Sequence, residues 1–421
     1  MTAEAPGSDS TPPNPDPSTG EVQLFSGEVA ACPQPVYRGL VQGCPFARAA
    51  MLGTPILSRY EDVKWALAHP EIFSSEMEKQ LDLGTERPMI PQQIDPPLQT
   101  RYRKLLDPLF SRKRMRAFEP RVRERAARLI DGFAADGGCE YDGAFAVPLP
   151  CSAFLEVMGL PQEDLDLFLE LKDSIIRPWT RLAPEERQAS TPEGMTRLQE
   201  TIHRIKHDAG QQIYRYFEGM LEQRERESSE DLLGFLVQAE KDGEKLARTE
   251  QLDICFLLLI AGLDTVTATL GCNMAHLASN PDARRRLVAD PSLLEGAIEE
   301  LLRWETPVTG VPRIVKQEVT VHGVTLQPGE MVSLLLGAAN LDDAEFEDPE
   351  RVDFARGRNR HLAFGGGAHR CLGSHLARME LRVALEEWHR RIPDYHVKPG
   401  AVPTYSPGIR EVMYLPLEWT P

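Results

Sequence analysis

No Cys-x-x-Cys pair occurs in the sequence, and its seven cysteines (32, 44, 139, 151, 255, 272 and 371) are scattered along 421 residues. That excludes the usual zinc-ribbon and dithiol frameworks and leaves too few cysteines for a disulfide scaffold. Free thiols in a reducing compartment are expected, unless one binds a metal. Basic residues are also in deficit: 47 Lys and Arg face 64 Asp and Glu, for a formal charge of −17. A nucleic-acid partner, whose phosphates need a basic surface, is therefore not expected. Long apolar runs are missing too. The longest, Ile254 to Leu263, has 10 residues, whereas a bilayer span takes about 20. No membrane association is expected, and the location is read as cytoplasmic. Residues 1–20 have neither a basic start nor an apolar stretch; their Pro, Ser and Asp read as a disordered leader, not a secretory signal.

What is present is globular: 42% hydrophobic and 26% charged residues. Residues 53–58 have strand and turn character, 61–68 form an amphipathic helix closed by Pro70, and the prolines within 76–97 predict a loop. From 100 to about 280 the spacing predicts helices, with breaks at 137–138, near 161, around 184 and at 242–243. One long helix over 251–279, apolar on every face in its middle, belongs inside a large core. Strands follow over 319–322, 324–326 and 331–336. A helix is expected over 371–389 and a strand-like tail around 406–408. The expected fold is mainly α with a minor β-sheet region to which both ends contribute: a single large domain over residues 21–421, without repeats.

Chemistry concentrates in His361-Leu-Ala-Phe-Gly-Gly-Gly-Ala-His-Arg-Cys-Leu-Gly373. Glycines let backbone approach a flat ligand closely. A cysteine at the start of a helix is expected to have a depressed pKa, which suits a soft-metal ligand. A lone cysteine of this kind is usually a buried structural thiol. The whole string, Phe364-Gly365-x-Gly367-x-His369-x-Cys371-x-Gly373, resembles the haem-ligand signature of the cytochrome P-450 superfamily, which implies that fold and haem b with Cys371 as axial thiolate.

Three further segments resemble the family in the same chain order. Glu300-Leu-Leu-Arg303 matches its Glu-x-x-Arg, and the resemblance joins the pair to Arg356 in a buried network. Taken alone, such a pair is an ordinary helical salt bridge. Ala261-Gly262-Leu263-Asp264-Thr265 resembles the oxygen-binding motif, especially of the camphor-hydroxylase branch. There Asp264 would feed protons and Thr265 would pass them to dioxygen, while Gly262 leaves space beside the helix and the threonine hydroxyl bends it. Ile94 to Arg103 resembles the segment that seats a haem propionate, with Gln99 where most bacterial members carry histidine. The resemblance implies Gln99, Arg103, Arg313 and His361 as propionate partners. By contrast, His203 and His207 share a helix face but lack a third ligand, and read as a solvated surface.

Residues 101–128 hold eleven Lys or Arg against three acids. This basic stretch is either a solvated helix face or a docking site for an acidic ferredoxin-type electron donor. No flavin or iron–sulfur segment is evident, so the reductant is expected in trans. The resemblance draws the substrate pocket from Ile260, Ala261, Val308, Val311 and Ile409, which implies a hydrophobic small molecule, terpenoid- or steroid-like. Charged residues of the 76–90 loop border it, with no orientation evident from the sequence. The expected function is monooxygenation with dioxygen. A peroxide-driven enzyme is the first alternative, disfavoured by the intact Asp264-Thr265 pair. A non-catalytic haem-binding sensor or carrier, for which a degraded relay is expected, is the second.

Overall fold

Apolar residues three and four apart wind most of residues 98–305 into helices. The main ones are Leu98–Leu106, Arg112–Asp131, Pro148–Met158, Leu165–Ile176, Pro192–Arg226, Arg248–Gly262, Thr265–Ser279 and Leu294–Glu305, joined later by Ser374–Arg391. The computed structural model describes residues 21–421 except 25, 44–46, 51–52, 78–81, 184–185, 187–190 and 407. The leader expected over 1–20 lies outside the described residues.

One large apolar cluster unites these helices. Trp388 is fully buried at one end of it. Its ring lies 5.0 Å from Tyr141, 5.4 Å from Phe145 and 5.8 Å from Trp419. The helix after the cysteine, the turn before Pro148 and the C-terminal tail therefore share one core.

The helix expected over 251–279 is two helices. Arg248–Gly262 ends at Leu263, and Thr265–Ser279 starts after Asp264. Thr265 Oγ1 donates to the Ala261 carbonyl at 3.2 Å, and Thr269 Oγ1 to that of Thr265 at 2.7 Å; such back-bonds loosen a helix ladder. The combined span, Arg248–Ser279, is apolar and long enough to cross a membrane, but 78% of its most apolar window is buried inside the protein. It is the core helix of this fold.

Six strands form the larger sheet, in the order Glu21–Val22, Ala47–Ala49, Thr54–Leu57, Met331–Leu334, Val311–Val315, Phe73–Ser74. Parallel pairing sets Ser333 opposite Ile56, sewing the start of the chain to its last third. The tail does not join this sheet, which corrects the expectation that both ends share one. Pro416–Glu418 pairs instead with Gly138–Glu140 and His396–Val397. The reason is burial: Leu417 beds in the helical core, whereas Val22 and Ala47 pack in a separate cluster with Leu40. The result is mainly helical with minor sheets, in a single domain.

The helix Leu294–Glu305 carries a fully buried ion pair. Arg303 Nε and Nη2 each donate to one Glu300 oxygen at 2.8 Å. The same carboxylate accepts from Arg356 Nε at 3.0 and 3.1 Å, from Asp353 N at 2.9 Å and from Asn359 Nδ2 at 3.1 Å. Burial opposes the charge, yet the Arg303, Asp353 and Arg356 donors hold the Glu300 carboxyl below the usual range. Glu300→Ala strands two guanidinium groups and is expected to destabilise the fold by about 3–5 kcal/mol. Equilibrium denaturant unfolding measures this against Glu61→Ala, which breaks an exposed pair with Lys64 and is expected to cost below about 1 kcal/mol.

Candidate active site

The segment before Cys371 folds back on itself through backbone bonds. Gly365 N donates to the Leu362 carbonyl at 2.8 Å, and Cys371 N to that of Phe364 at 2.8 Å. Gly365 and Gly367 have φ of +64° and +60°, conformations that favour glycine. At Gly367 a side chain would also stand 2.0 Å from the Leu67 carbonyl oxygen, so only glycine lets this turn lie on the helix Tyr60–Ala68. Gly373 has φ of −80° and open space where a side chain would be. The Phe364 ring lies under Arg378, 4.4 Å away.

The final helix starts at Ser374, with Gly373 as its cap, so Cys371 lies before the first turn rather than in it. The Cys371 side chain is exposed on one side and enclosed by protein on the others. That enclosure pushes its thiol above the usual range, against the Gly373 N–H, Arg103, Arg370 and Arg378. The expected depression is thus reversed, because desolvation outweighs the helix end. A coordinated metal deprotonates such a thiol outright.

Beside the thiol is a group of cations. Arg313 is only 4% exposed, and Nη1 donates just to the adjacent Pro312 carbonyl. No carboxylate among the described residues forms an ion pair with it; burial pulls it down to about 10, against the more distant Asp95. His369 is its neighbour. Burial, Arg313 and Arg103 lower this imidazole to about 4, and its Nε2 is buried without a partner. Arg103 bonds the Arg370 carbonyl at 2.8 Å and Asp107 at 2.9 Å. Gln99 is buried, and its amide donates to the Ala368 carbonyl at 2.6 Å.

His361, the fourth expected propionate partner, is otherwise engaged. Its Nε2 meets Glu299 at 3.1 Å and its Nδ1 accepts from Ala363 N at 3.2 Å. Arg378 clamps the same Glu299 at 2.6 and 2.7 Å. His369, two residues before the cysteine, is the histidine that lies beside Arg313 and Arg103.

On the other side lies the break in the core helix. Ala261 is exposed and Thr265 half-buried, while Ile260, Leu263 and Asp264 are buried. Gly262 does not leave free space there: a side chain on it would stand 2.3 Å from the Phe154 ring, which fills the gap. Asp264 Oδ1 accepts from Lys172 Nζ at 3.0 Å and Arg177 Nη2 at 2.7 Å. Arg177 also pairs with Asp173 at 2.9 Å and with Glu411. The sequence reading had none of these partners. Val308, Val311 and Ile409 are half-buried.

Three described charges of the 76–90 loop are tied to neighbouring elements, while Glu86 is exposed beside Arg87 of the same loop. Glu76 pairs with Lys316 at 2.7 Å, Asp82 with His203 at 3.0 Å, and Arg87 with Asp253 at 3.0 Å. Glu78 and Lys79 lie outside the described residues.

An accessible thiol beside a positive-φ glycine turn, with a buried arginine lacking an anion, suits a flat metal chelate carrying carboxylates. Comparison with known proteins agrees. The family model described as Cytochrome P450 matches residues 45–391. The vitamin D(3) 25-hydroxylase of Pseudonocardia autotrophica is 34% identical over 87% of this chain and 88% of its own. The mycinamicin IV hydroxylase/epoxidase of Micromonospora griseorubida is 33% identical over 86% and 89%. The crystal structure of CYP109E1 from Bacillus megaterium with testosterone superposes with a TM-score of 0.84, at 28% identity, over 94% of this chain and all of the other. The chain belongs to the cytochrome P450 family, as a haem b monooxygenase with a cysteine thiolate as axial ligand.

Proposed function

We propose that this monooxygenase inserts one atom of dioxygen into a terpenoid- or steroid-sized hydrophobic molecule, using electrons from a separate acidic ferredoxin, in the cytoplasm. The observation that carries the choice of dioxygen over peroxide is the intact acid–alcohol pair at the helix break. Asp264 is held there by two cations, and Thr265 is back-bonded to Ala261. Asp264 takes protons from the buried cluster behind it, and Thr265 presents a hydroxyl to the reaction side. Haem, when bound through Cys371, supplies the electron-rich thiolate ligation that favours O–O cleavage. Arg313, Arg103 and His369 would hold its carboxylates, with Gln99 fixing the loop between them. Ile260, Ala261, Val308, Val311 and Ile409 would supply apolar contact. The substrates named for the relatives, vitamin D(3) and mycinamicin IV, and the bound testosterone differ from one another, which supports a hydrophobic pocket read by shape.

The basic stretch over 101–128 divides into two parts. Arg123 is committed to Glu119, Glu386 and Glu387, Arg121 to Glu156, and Arg101 to Asp242. These pairs serve mainly to bind helices together. Arg112, Lys113 and Arg116 are exposed and have no ion pair recorded among the described residues. Arg112 acts together with Arg370 and Arg378 on His375, whose imidazole burial and these charges lower. The docking face is therefore narrowed to Arg112, Lys113, Arg116 and Arg370, beside the cysteine loop.

Cys371→Ala is expected to abolish the strongly red-shifted Soret band of the reduced, carbon monoxide-treated protein; a histidine-type band in the wild type would refute the thiolate. Arg313→Leu removes the buried cation without an anion and is expected to speed haem loss about ten-fold, measured by transfer to apomyoglobin. Arg112→Glu with Lys113→Glu is expected to raise the KM for reduced ferredoxin about ten-fold at low salt, the gap closing as salt screens the charges. Steady-state titration with ferredoxin at two ionic strengths checks it.

A further inference from the structure

We infer that Glu411 is a positioning residue for proton delivery: by sharing the Arg177 guanidinium with Asp264, its charge state sets how firmly Asp264 is held. This rests on the proposed role of Asp264 and Thr265 and adds a control that the sequence motif does not contain.

The sharing is literal. One nitrogen, Arg177 Nη2, donates both to Asp264 Oδ1 at 2.7 Å and to Glu411 Oε2. Asp264, Glu411, Arg177 and Lys172 are each between 1% and 4% exposed. Asp264 Oδ2 is buried without a hydrogen bond, so half of this carboxylate is free to take a new donor.

Charge in the cluster does not balance when every acid is ionised. Facing Glu411 and one another are Lys172 and Asp173 on Leu165–Ile176, Arg177 just beyond it, Asp264 at the helix break, and Asp142 on the turn before Pro148. Two fully buried acids, Asp264 and Glu411, thus face two buried cations, and the half-buried Asp142 and partly exposed Asp173 add negative charge at the edge. Ionising every acid in so desolvated a cluster is costly, so the cluster retains protons near neutrality. Burial and Asp264 push Glu411 up to about 8, against Arg177 and Lys172. Burial and Glu140 push Asp142 to about 7. The remaining neighbours do not offset this. Arg410 is committed to Glu305 at 2.7 Å. Cys272 stays a neutral thiol, its pKa raised by burial, donating to the Arg410 carbonyl at 3.3 Å.

The consequence follows from competition. With Glu411 protonated, Arg177 belongs to Asp264, which stays pinned. With Glu411 ionised, Arg177 is divided and Asp264 is left chiefly to Lys172, freer to turn toward Thr265. Product formed per reductant consumed is therefore expected to rise with pH as Glu411 loses its proton.

Two readouts on the haem-loaded protein test this. The infrared C=O stretch of protonated buried carboxyls is followed in the resting protein with Asp142→Asn, which removes the raised acid beside Glu411. Glu380 and Asp253 are raised by burial elsewhere, so the Glu411 component is the one expected to titrate near pH 8. It should vanish in Glu411→Gln. Product per reductant is expected to rise about three-fold from pH 7 to 9 in the wild type and to stay flat and low in Glu411→Gln. A carboxyl component titrating near pH 8 that persists in Glu411→Gln, or a wild-type pH slope in that variant, overturns the inference. If Asp264→Asn leaves product per reductant unchanged, the underlying reading of Asp264 fails and the inference with it. If Asp264→Asn lowers it while Glu411→Gln follows the wild type, the inference alone fails. Should Glu411→Gln not fold, Glu411→Asp is expected to keep a titrating carboxyl with a displaced midpoint; an invariant band there also overturns it.

Discussion

The Glu300 carboxylate holds the approach to the cysteine in place. It is fully buried and binds two arginines, which in turn bind carbonyls that no helix or strand would satisfy. Arg303 Nη1 donates to the carbonyls of Asn340 and Pro349, and Arg356 Nη1 to that of Glu347. Asn340 passes the constraint on: its Oδ1 accepts from Leu362 N at 2.7 Å and its Nδ2 donates to Thr306. From Leu362 the backbone bonds run to Gly365, and from Phe364 to Cys371. An irregular segment rich in buried carbonyls is thus ordered by donors converging on one anion. Removing that anion costs more than the pair contributes, because the guanidinium groups remain buried.

The two sides of the site treat charge oppositely. Near Cys371 the buried Arg313 has no ion-paired carboxylate, only the field of Asp95, and His369 is kept neutral beside it. Behind Asp264 the half-buried Asp142 tips the cluster toward negative charge, and protons are retained to limit it. Neither arrangement makes sense as stabilisation, since an uncompensated buried charge costs several kcal/mol on the order given for isolated ions. Each is balanced only by something that arrives: carboxylates on the first side, protons on the second.

Much of this was legible in the sequence, and the misses share one cause. The cysteine string, Glu300 with Arg303, and the alcohol at the helix break are local patterns, with spacing and geometry fixed by the chain itself. Lys172, Arg177 and Glu411 were not legible because they reach Asp264 and each other across 87 to 234 residues. The choice between His361 and His369 could not be made from a motif containing both. What bears on it is Glu299, which engages His361 from the helix Leu294–Glu305. Part of the basic stretch is likewise absorbed by distant acids, Arg123 by Glu386 and Glu387, Arg121 by Glu156 and Arg101 by Asp242, pairings that composition does not reveal. The tail's sheet went astray for the same reason, since its partner Gly138–Glu140 lies in the middle of the chain.

The loop over residues 76–90 is held through its charges. Glu76, Asp82 and Arg87 reach toward neighbouring elements. These ties are unequal. Asp82 with His203 is exposed on both sides, and such a pair contributes at most about 1 kcal/mol. Arg87 with Asp253 is bidentate, shares its carboxylate with the Tyr214 hydroxyl at 3.0 Å, and places the guanidinium 5.0 Å from the Tyr214 ring. Between them Gly84 and Gly210 pack so closely that a side chain on Gly210 would stand 2.0 Å from the Gly84 carbonyl oxygen. The edge at residues 82–84 is thus held by contact and a weak ion pair, while the Arg87 edge is anchored to the core helix. Under the same displacement the edge at residues 82–84 yields before the Arg87 edge, because its exposed ion pair is the weaker tie while Arg87 is bound to the core helix.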